Sequence, residues 1–201
     1  MRCHGRLRRP REPLCARCGR ELAFKGDGCG CRRRLRALSS LRSACRYEGP
    51  IERAIQRFKY EGWRQLAVPL AGLMADRLAI DLPGASLLTP VPLHPARRRS
   101  RGYNQSELLA AELTRRLRLD PPPGRLHRIR NTLPQVGLDR LHRAANVRGA
   151  FVWTGPALAG LPVLLIDDVA TTGATLDCCA AALREAGAGV VSALTIARVT
   201  L

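Results

Sequence analysis

Lysine is almost missing from this chain: Lys25 and Lys59 are the only two among 34 basic residues, which face 16 acidic ones for a net charge of +18. The excess is therefore arginine, whose planar fork suits phosphate recognition, so polyanionic partners are expected. Codon bias in a GC-rich source inflates arginine everywhere, so only arginines inside a motif point to function. Aromatic residues are scarce too, at 4%. That leaves the core to Leu, Val, Ile and Ala and offers few platforms for base stacking. No window approaches the ~20 apolar residues that span a bilayer, which excludes membrane insertion by a helix. The arginine-rich N-terminus lacks the apolar core of a signal peptide and is not a twin-arginine export signal, so a cytoplasmic protein with reduced thiols is expected. Neither GxxxxGK[ST] nor GxGxxG occurs, which disfavours nucleoside triphosphates and dinucleotides.

What is present is enough apolar residue, 46% of 201 positions, for one α/β domain with a small appendage. Ile51, Ile55 and Phe58 share a helical face over 49–59, and a second helix is expected over 66–78 with Pro69 in its first turn. Residues 86–91 read as a strand ending in PVPLHP, and 104–118 as an amphipathic helix stopped by Pro121 to Pro123. Short strands are expected at 126–129, 150–152, 163–166 and 190–196, with a helix over 176–186. There is no internal repeat.

The segment VLLIDDVATTGATL, residues 163–176, is the most informative. An unbroken apolar run, as in a strand buried on both faces of a parallel sheet, ends in Asp167 and Asp168. A turn follows, with Ala170, Thr171, Thr172, Gly173, Ala174 and Thr175, and opens into a helix. Such a turn aims N–H groups and hydroxyls at a phosphate on the positive end of the helix dipole. Helix capping needs one such residue, and this turn supplies several. Adjacent carboxylates resist burial unless cations or hydroxyls satisfy them, and a ribose diol with a divalent metal does both.

Six of the eight cysteines precede residue 46, and four form C-x2-C-x10-C-x-C: Cys15, Cys18, Cys29 and Cys31. In a reducing compartment this points to a structural Zn²⁺ held by four thiolates, with Cys3, His4 or Cys45 as alternative ligands. Cys178 and Cys179 diverge by about 100° on a helix, so neither chelates. Two more segments suit a diphosphate. In VPLHPARRRSRGYNQSE, Arg97, Arg98, Arg99 and Arg101 follow a strand end; in RNTLPQVGLDRLHRAANVRGAF, Arg130, Thr132, Gln135, Arg140, Arg143 and Arg148 make a basic loop of the kind that closes over a charged ligand.

The acidic pair and its threonine turn resemble the phosphoribosyl pyrophosphate (PRPP) motif of type I phosphoribosyltransferases. The order of all these pieces, with CRYEGPIERAIQRFKYEG at 45–62, resembles the ComF family of competence proteins. The resemblance implies an α/β fold, a type I phosphoribosyltransferase-like parallel sheet with flanking helices, in residues 45–201, and a small zinc-knuckle region in 1–44. It implies PRPP with Mg²⁺ as ligand, Asp167 and Asp168 holding the ribose hydroxyls in a catalytic site, and residues 170–175 wrapping the 5′-phosphate. It further implies a pyrophosphate loop at 90–97 with Pro92, His94 and Arg97, Arg101 beyond it, and a flexible loop at 130–148 with Arg130, Gln135, Arg140 and Arg143. Pyrophosphate would be displaced from C1 of PRPP; the acceptor and the oligomeric state are not legible. A role in DNA uptake, with single-stranded DNA or uptake proteins as partners, is implied as well. The alternatives on the same fold are a non-catalytic PRPP sensor and a DNA-handling adaptor. Any nucleic-acid contact is expected on the basic arm with Arg6, Arg8, Arg9, Arg11, Arg32, Arg33, Arg34 and Arg36.

Overall fold

The computed structural model describes residues 7–81, 87–130 and 149–200. Four parallel strands form the main sheet: β1 (Ser40–Arg46), β2 (Leu87–Pro90), β5 (Val163–Ala170) and β6 (Val191–Arg198), in the order β1-β6-β5-β2. All four therefore end at one edge. A separate antiparallel pair, β3 (Arg125–Arg128) and β4 (Phe151–Thr154), stands beside it. The helices are α1 (Gly49–Tyr60), α2 (Ala67–Asp81), α3 (Pro95–Arg101), α4 (Gln105–Leu117) and α5 (Ala174–Glu185). This is the α/β architecture, a parallel sheet flanked by helices, that the sequence implies.

Alternation along the central strands divides the core in two, because successive side chains leave opposite faces of a sheet. Leu164 and Ile166 point to a cluster with Ile51, Ile55 and Phe58 of α1, Met74 of α2 and Leu109 of α4. Val163 and Leu165 point to the other cluster, with Leu176 and Leu183 of α5, Leu126 and Phe151 of the β3–β4 pair, and Cys18, Cys31, Leu35 and Leu38 of the cysteine region. The cysteine region is thus part of the same core as β5 and α5.

Three features depart from the sequence reading. Strand β1 is not among the expected elements, and the division at residue 44 falls inside it; its parallel pairing with β6 and the Ser43 to Thr195 hydroxyl hydrogen bond at 2.7 Å supply what its mixed sequence does not. Strand β5 does not stop at Ile166 but runs four residues further, since Asp167, Val169 and Ala170 pair with Thr195, Ala197 and Arg198 of β6. The arginines after PVPLHP form helix α3 rather than a loop. Pro95 opens it with a φ already suited to a helix, and His94 Nδ1 accepts from Ala96 N at 3.2 Å, capping the free end.

Candidate ligand site and metal centre

Asp167 and Asp168 lie near the carboxyl end of the central strand β5, where open α/β sheets bind ligands. They meet different partners. Asp168, 7% exposed, accepts from Lys59 Nζ at 2.8 Å, an ammonium that α1 delivers from its last turn. Asp167, half-buried, accepts from Ser106 Oγ at 2.8 Å and from the Asp168 N–H at 2.9 Å. Ser106 is held there by α4, whose cap Asn104 accepts from Ser106 N at 3.0 Å and donates to Val91 O at 3.0 Å. Burial, and then the Asp168 charge, push the Asp167 carboxyl up to about 7 against the pull of Lys59 and these hydrogen bonds. Burial works against the Lys59 ammonium, but Asp168 and then Asp167 hold it above the ordinary lysine range. The pair is thus a short anionic edge with one lysine built in.

The turn after β5 makes the other wall. Gly173 takes φ +84 and opens α5, and Ala174 N donates to Thr172 Oγ1 at 3.3 Å. Asp167, Val169 and the turn residues enclose a cavity of ≈ 40 Å³, the size of a small group rather than a whole ligand. A Cβ on Gly173 would come 3.1 Å from Leu35 Cδ2, so the turn leans directly on the segment that follows the cysteines. There Asp177, in the first turn of α5, accepts from the Ala37 and Leu38 N–H groups, both at 2.9 Å.

Of the residues expected to meet a diphosphate, Pro92 and His94 lie in the stretch between β2 and α3, and Arg97 and Arg101 lie one turn apart on α3. Arg101 Nη1 donates to Gln105 Oε1 at 2.8 Å, and burial, then the Arg128, Arg99 and Arg97 charges, lower the His94 pKa. Burial and then Arg97 also lower the pKa of Arg128, a residue of β3, against the weaker opposing pull of Cys179 and Asp167. A cleft of ≈ 530 Å³ between α3 and β3 takes Pro92, Arg98, Arg99 and Arg128 into its walls, whereas His94, Arg97, Arg101 and the acidic pair do not line it. Arg130 is exposed at the end of the described stretch. Thr132, Gln135, Arg140, Arg143 and Arg148 lie outside the described residues.

Cys15, Cys18, Cys29 and Cys31 converge, with all four sulfurs within 4.8 Å of one another. Three Sγ···Sγ separations are 3.1, 3.5 and 3.7 Å, close to the ~3.8 Å edge of a tetrahedron with Zn–S bonds of about 2.3 Å. Thiolates in that geometry fit a metal such as zinc. Gly19, at φ +66, is required for the first knuckle, where a Cβ would sit 2.4 Å from Leu41 O. Arg198 Nη1 donates to Cys18 O at 2.7 Å, and Arg46 pairs with Glu21, so the knuckle is fastened to the carboxyl ends of β6 and β1. Cys45 belongs to the opposite core cluster and is no substitute ligand; Cys3 and His4 lie outside the described residues. Cys179 is buried in α5 and neither it nor Cys178 joins the tetrad.

Sequence reasoning missed Lys59 and Ser106. A signal existed for each: one of only two lysines in an arginine-saturated chain, and an Asn-x-x-Glu capping pattern at 104–107 that sets Ser106 in a first turn.

No family model matches the chain. It is 33% identical over 196 residues to Competence protein F of Haemophilus influenzae, covering 92% of this chain and 85% of the relative. It is 30% identical over 196 residues to DNA utilization protein YhgH of Salmonella typhi, covering 94% and 86%. Competence protein ComFC of Bacillus subtilis is 29% identical over 204 residues, with 98% and 82% covered.

Proposed function

Since the chain belongs to the competence protein F family, we propose that it is a PRPP-binding, phosphoribosyltransferase-like protein serving DNA uptake and utilization. The observation that carries the ligand is the Asp167–Asp168 pair at the carboxyl end of a central parallel strand, directly ahead of a threonine turn that opens a helix. In this reading the ribose 2′ and 3′ hydroxyls donate to the two carboxylates, which desolvation otherwise penalises. Lys59 Nζ donates to Asp168 and holds its carboxyl in place as an acceptor. Residues 170–175 take the 5′-phosphate at the N-terminus of α5, and the diphosphate faces the arginine-lined cleft beside α3, near Pro92, His94, Arg97 and Arg101. Arg130, Gln135, Arg140 and Arg143, of which only Arg130 lies among the described residues, are assigned to the same ligand.

The chemistry is displacement at C1: the bond to diphosphate breaks as one to a nucleophile forms. Bound Mg²⁺ supplies charge neutralisation for the leaving group. The chain's own residues bind, orient and exclude the water that would capture the electron-poor C1. The cysteine tetrad holds one structural Zn²⁺, residues 1–44 being its bearer and 45–201 the transferase-like part, with β1 common to both.

Calorimetry with Mg²⁺-PRPP against ribose 5-phosphate is the test. PRPP should bind more tightly, and Asp167→Asn with Asp168→Asn should weaken its binding by a few kcal/mol, on the order of two lost charge-assisted hydrogen bonds. A folded protein that ignores PRPP, or a double mutant that binds it unchanged, overturns the assignment.

A further inference from the structure

In a chain with so few aromatics, two of the three exposed ones among the described residues sit three positions apart: Tyr60, 69% exposed, at the end of α1, and Trp63, 40% exposed, in the turn beyond it. Both carry arginine. The Arg57 guanidinium lies 4.9 Å from the centre of the Trp63 ring, and that of Arg101 lies 5.0 Å from the centre of Tyr60. A third stack, Arg64 on Tyr103 at 4.8 Å, backs the first two, and the Tyr103 hydroxyl donates to Phe58 O, fixing the end of α1. Gly102, after α3, brings that helix's end beside Arg64, its Cβ position being 3.5 Å from Arg64 Nη2. The ends of α1 and α3 therefore form one surface.

The charge on this surface is cationic. Its carboxylates, Glu61 and Glu107, are already engaged by Arg57 at 3.7 Å and Arg98 at 2.6 Å, while Arg64 and Arg99 are exposed beside them. Apolar rings left open to water amid guanidinium groups do not suit a hydrophobic partner, which excludes charge from its centre. They suit a ligand with flat π-faces joined by negative charges. Guanidinium and ring planes stack on unpaired bases, and the free N–H edges of the same arginines reach phosphates. A duplex offers no such bases, since its own are stacked on one another.

We propose that Tyr60, Trp63 and the arginines around them form a stacking face for single-stranded nucleic acid, adjoining the acidic pair through Lys59. The surface shares Arg101 with the diphosphate assignment, but its rings, Tyr60 and Trp63, are assigned to no part of PRPP, and it differs from the basic arm that the sequence alone suggests.

Trp63 is one of two tryptophans, so Trp153→Phe leaves it as the only reporter. Oligo(dT) titrated into that variant should quench the remaining fluorescence, and duplex DNA should not at the same salt. Tyr60→Ala with Trp63→Ala should weaken oligo(dT) binding by about tenfold or more, with the slope of log affinity against log salt unchanged, since every arginine that meets a phosphate is still in place. Tyr60→Phe with Trp63→Phe keeps the rings and should retain affinity. Calorimetry with Mg²⁺-PRPP on the alanine variant separates this surface from the ligand site and checks that the fold is intact. Oligo(dT) binding that survives the alanine pair, or that leaves Trp63 fluorescence untouched, overturns the proposal, as does equal binding of duplex.

Discussion

A carboxyl held near neutrality by burial and by its neighbour makes Asp167 a proton-sensitive point in the fold. Its folded value, about 7, lies above the ordinary carboxylate range, so the folded state binds the proton more tightly than the unfolded one. Stability contributed by the protonated group is then fully present below about pH 4 and is lost as pH rises towards 7. The difference in melting temperature between the wild type and Asp167→Asn should change across that window and flatten above it; a pH-independent difference would rule out the raised value. Lys59 is the matching cation. Lys59→Met leaves Asp168 buried without its partner and should cost about 3 kcal/mol in urea unfolding, the scale of a broken buried ion pair. Lysine is the informative choice at this position because arginine is what the chain uses almost everywhere else.

The elements show where sequence patterns suffice and where they do not. Helix α1 is legible from Ile51, Ile55 and Phe58, all of which are buried on one face, and the start of β5 from its apolar run. Strand β1 is not, because Ser, Arg and Cys dilute its pattern and its stability comes from β6, some 150 positions away in sequence. Helix α3 is hidden because a run of arginine after proline reads as a loop, although arginine is a good helix former and Pro95 sits where proline is tolerated. Asp167 and Ala170, in the last part of β5, have low strand propensity and are drawn in by pairing, an override of local preference. The link between the cysteine region and the threonine turn is likewise invisible in sequence, being made largely through the backbone. Gly173 leans on Leu35, and Asp177 binds the N–H groups of Ala37 and Leu38. Metal removal by a chelator should therefore speed hydrogen exchange at residues 171–177 as well as at 15–38, and Asp177→Ala should do so in the metal-loaded protein. Exchange confined to 15–38 would mean the two sites are independent. Gly173→Ala, strained at φ +84, should cost about 1–3 kcal/mol.

For the whole molecule, the net charge of +18 guarantees attraction to polyanions but not a site. Part of the arginine is internally engaged: Arg8 faces Glu48 at 3.6 Å, Arg9 faces Asp76 at 3.8 Å, and Arg46 holds Glu21. Deleting residues 1–44 is no test of the basic arm, because it removes most of β1 and, with Cys18, Cys31, Leu35 and Leu38, one wall of the core. Replacing Arg32, Arg33, Arg34 and Arg36, all exposed, by serine leaves that wall in place. If the arm meets phosphates, this variant should bind oligo(dT) less tightly, with a salt slope shallower by about 0.7 for each phosphate no longer neutralised, while Trp63 quenching at saturation stays the same. The opposite pattern, an unchanged slope in the serine variant, makes the arm a solvated face and leaves the end of α1 as the place where nucleic acid binds. Counting released counterions and watching one ring thus assign charge and stacking to different parts of one chain.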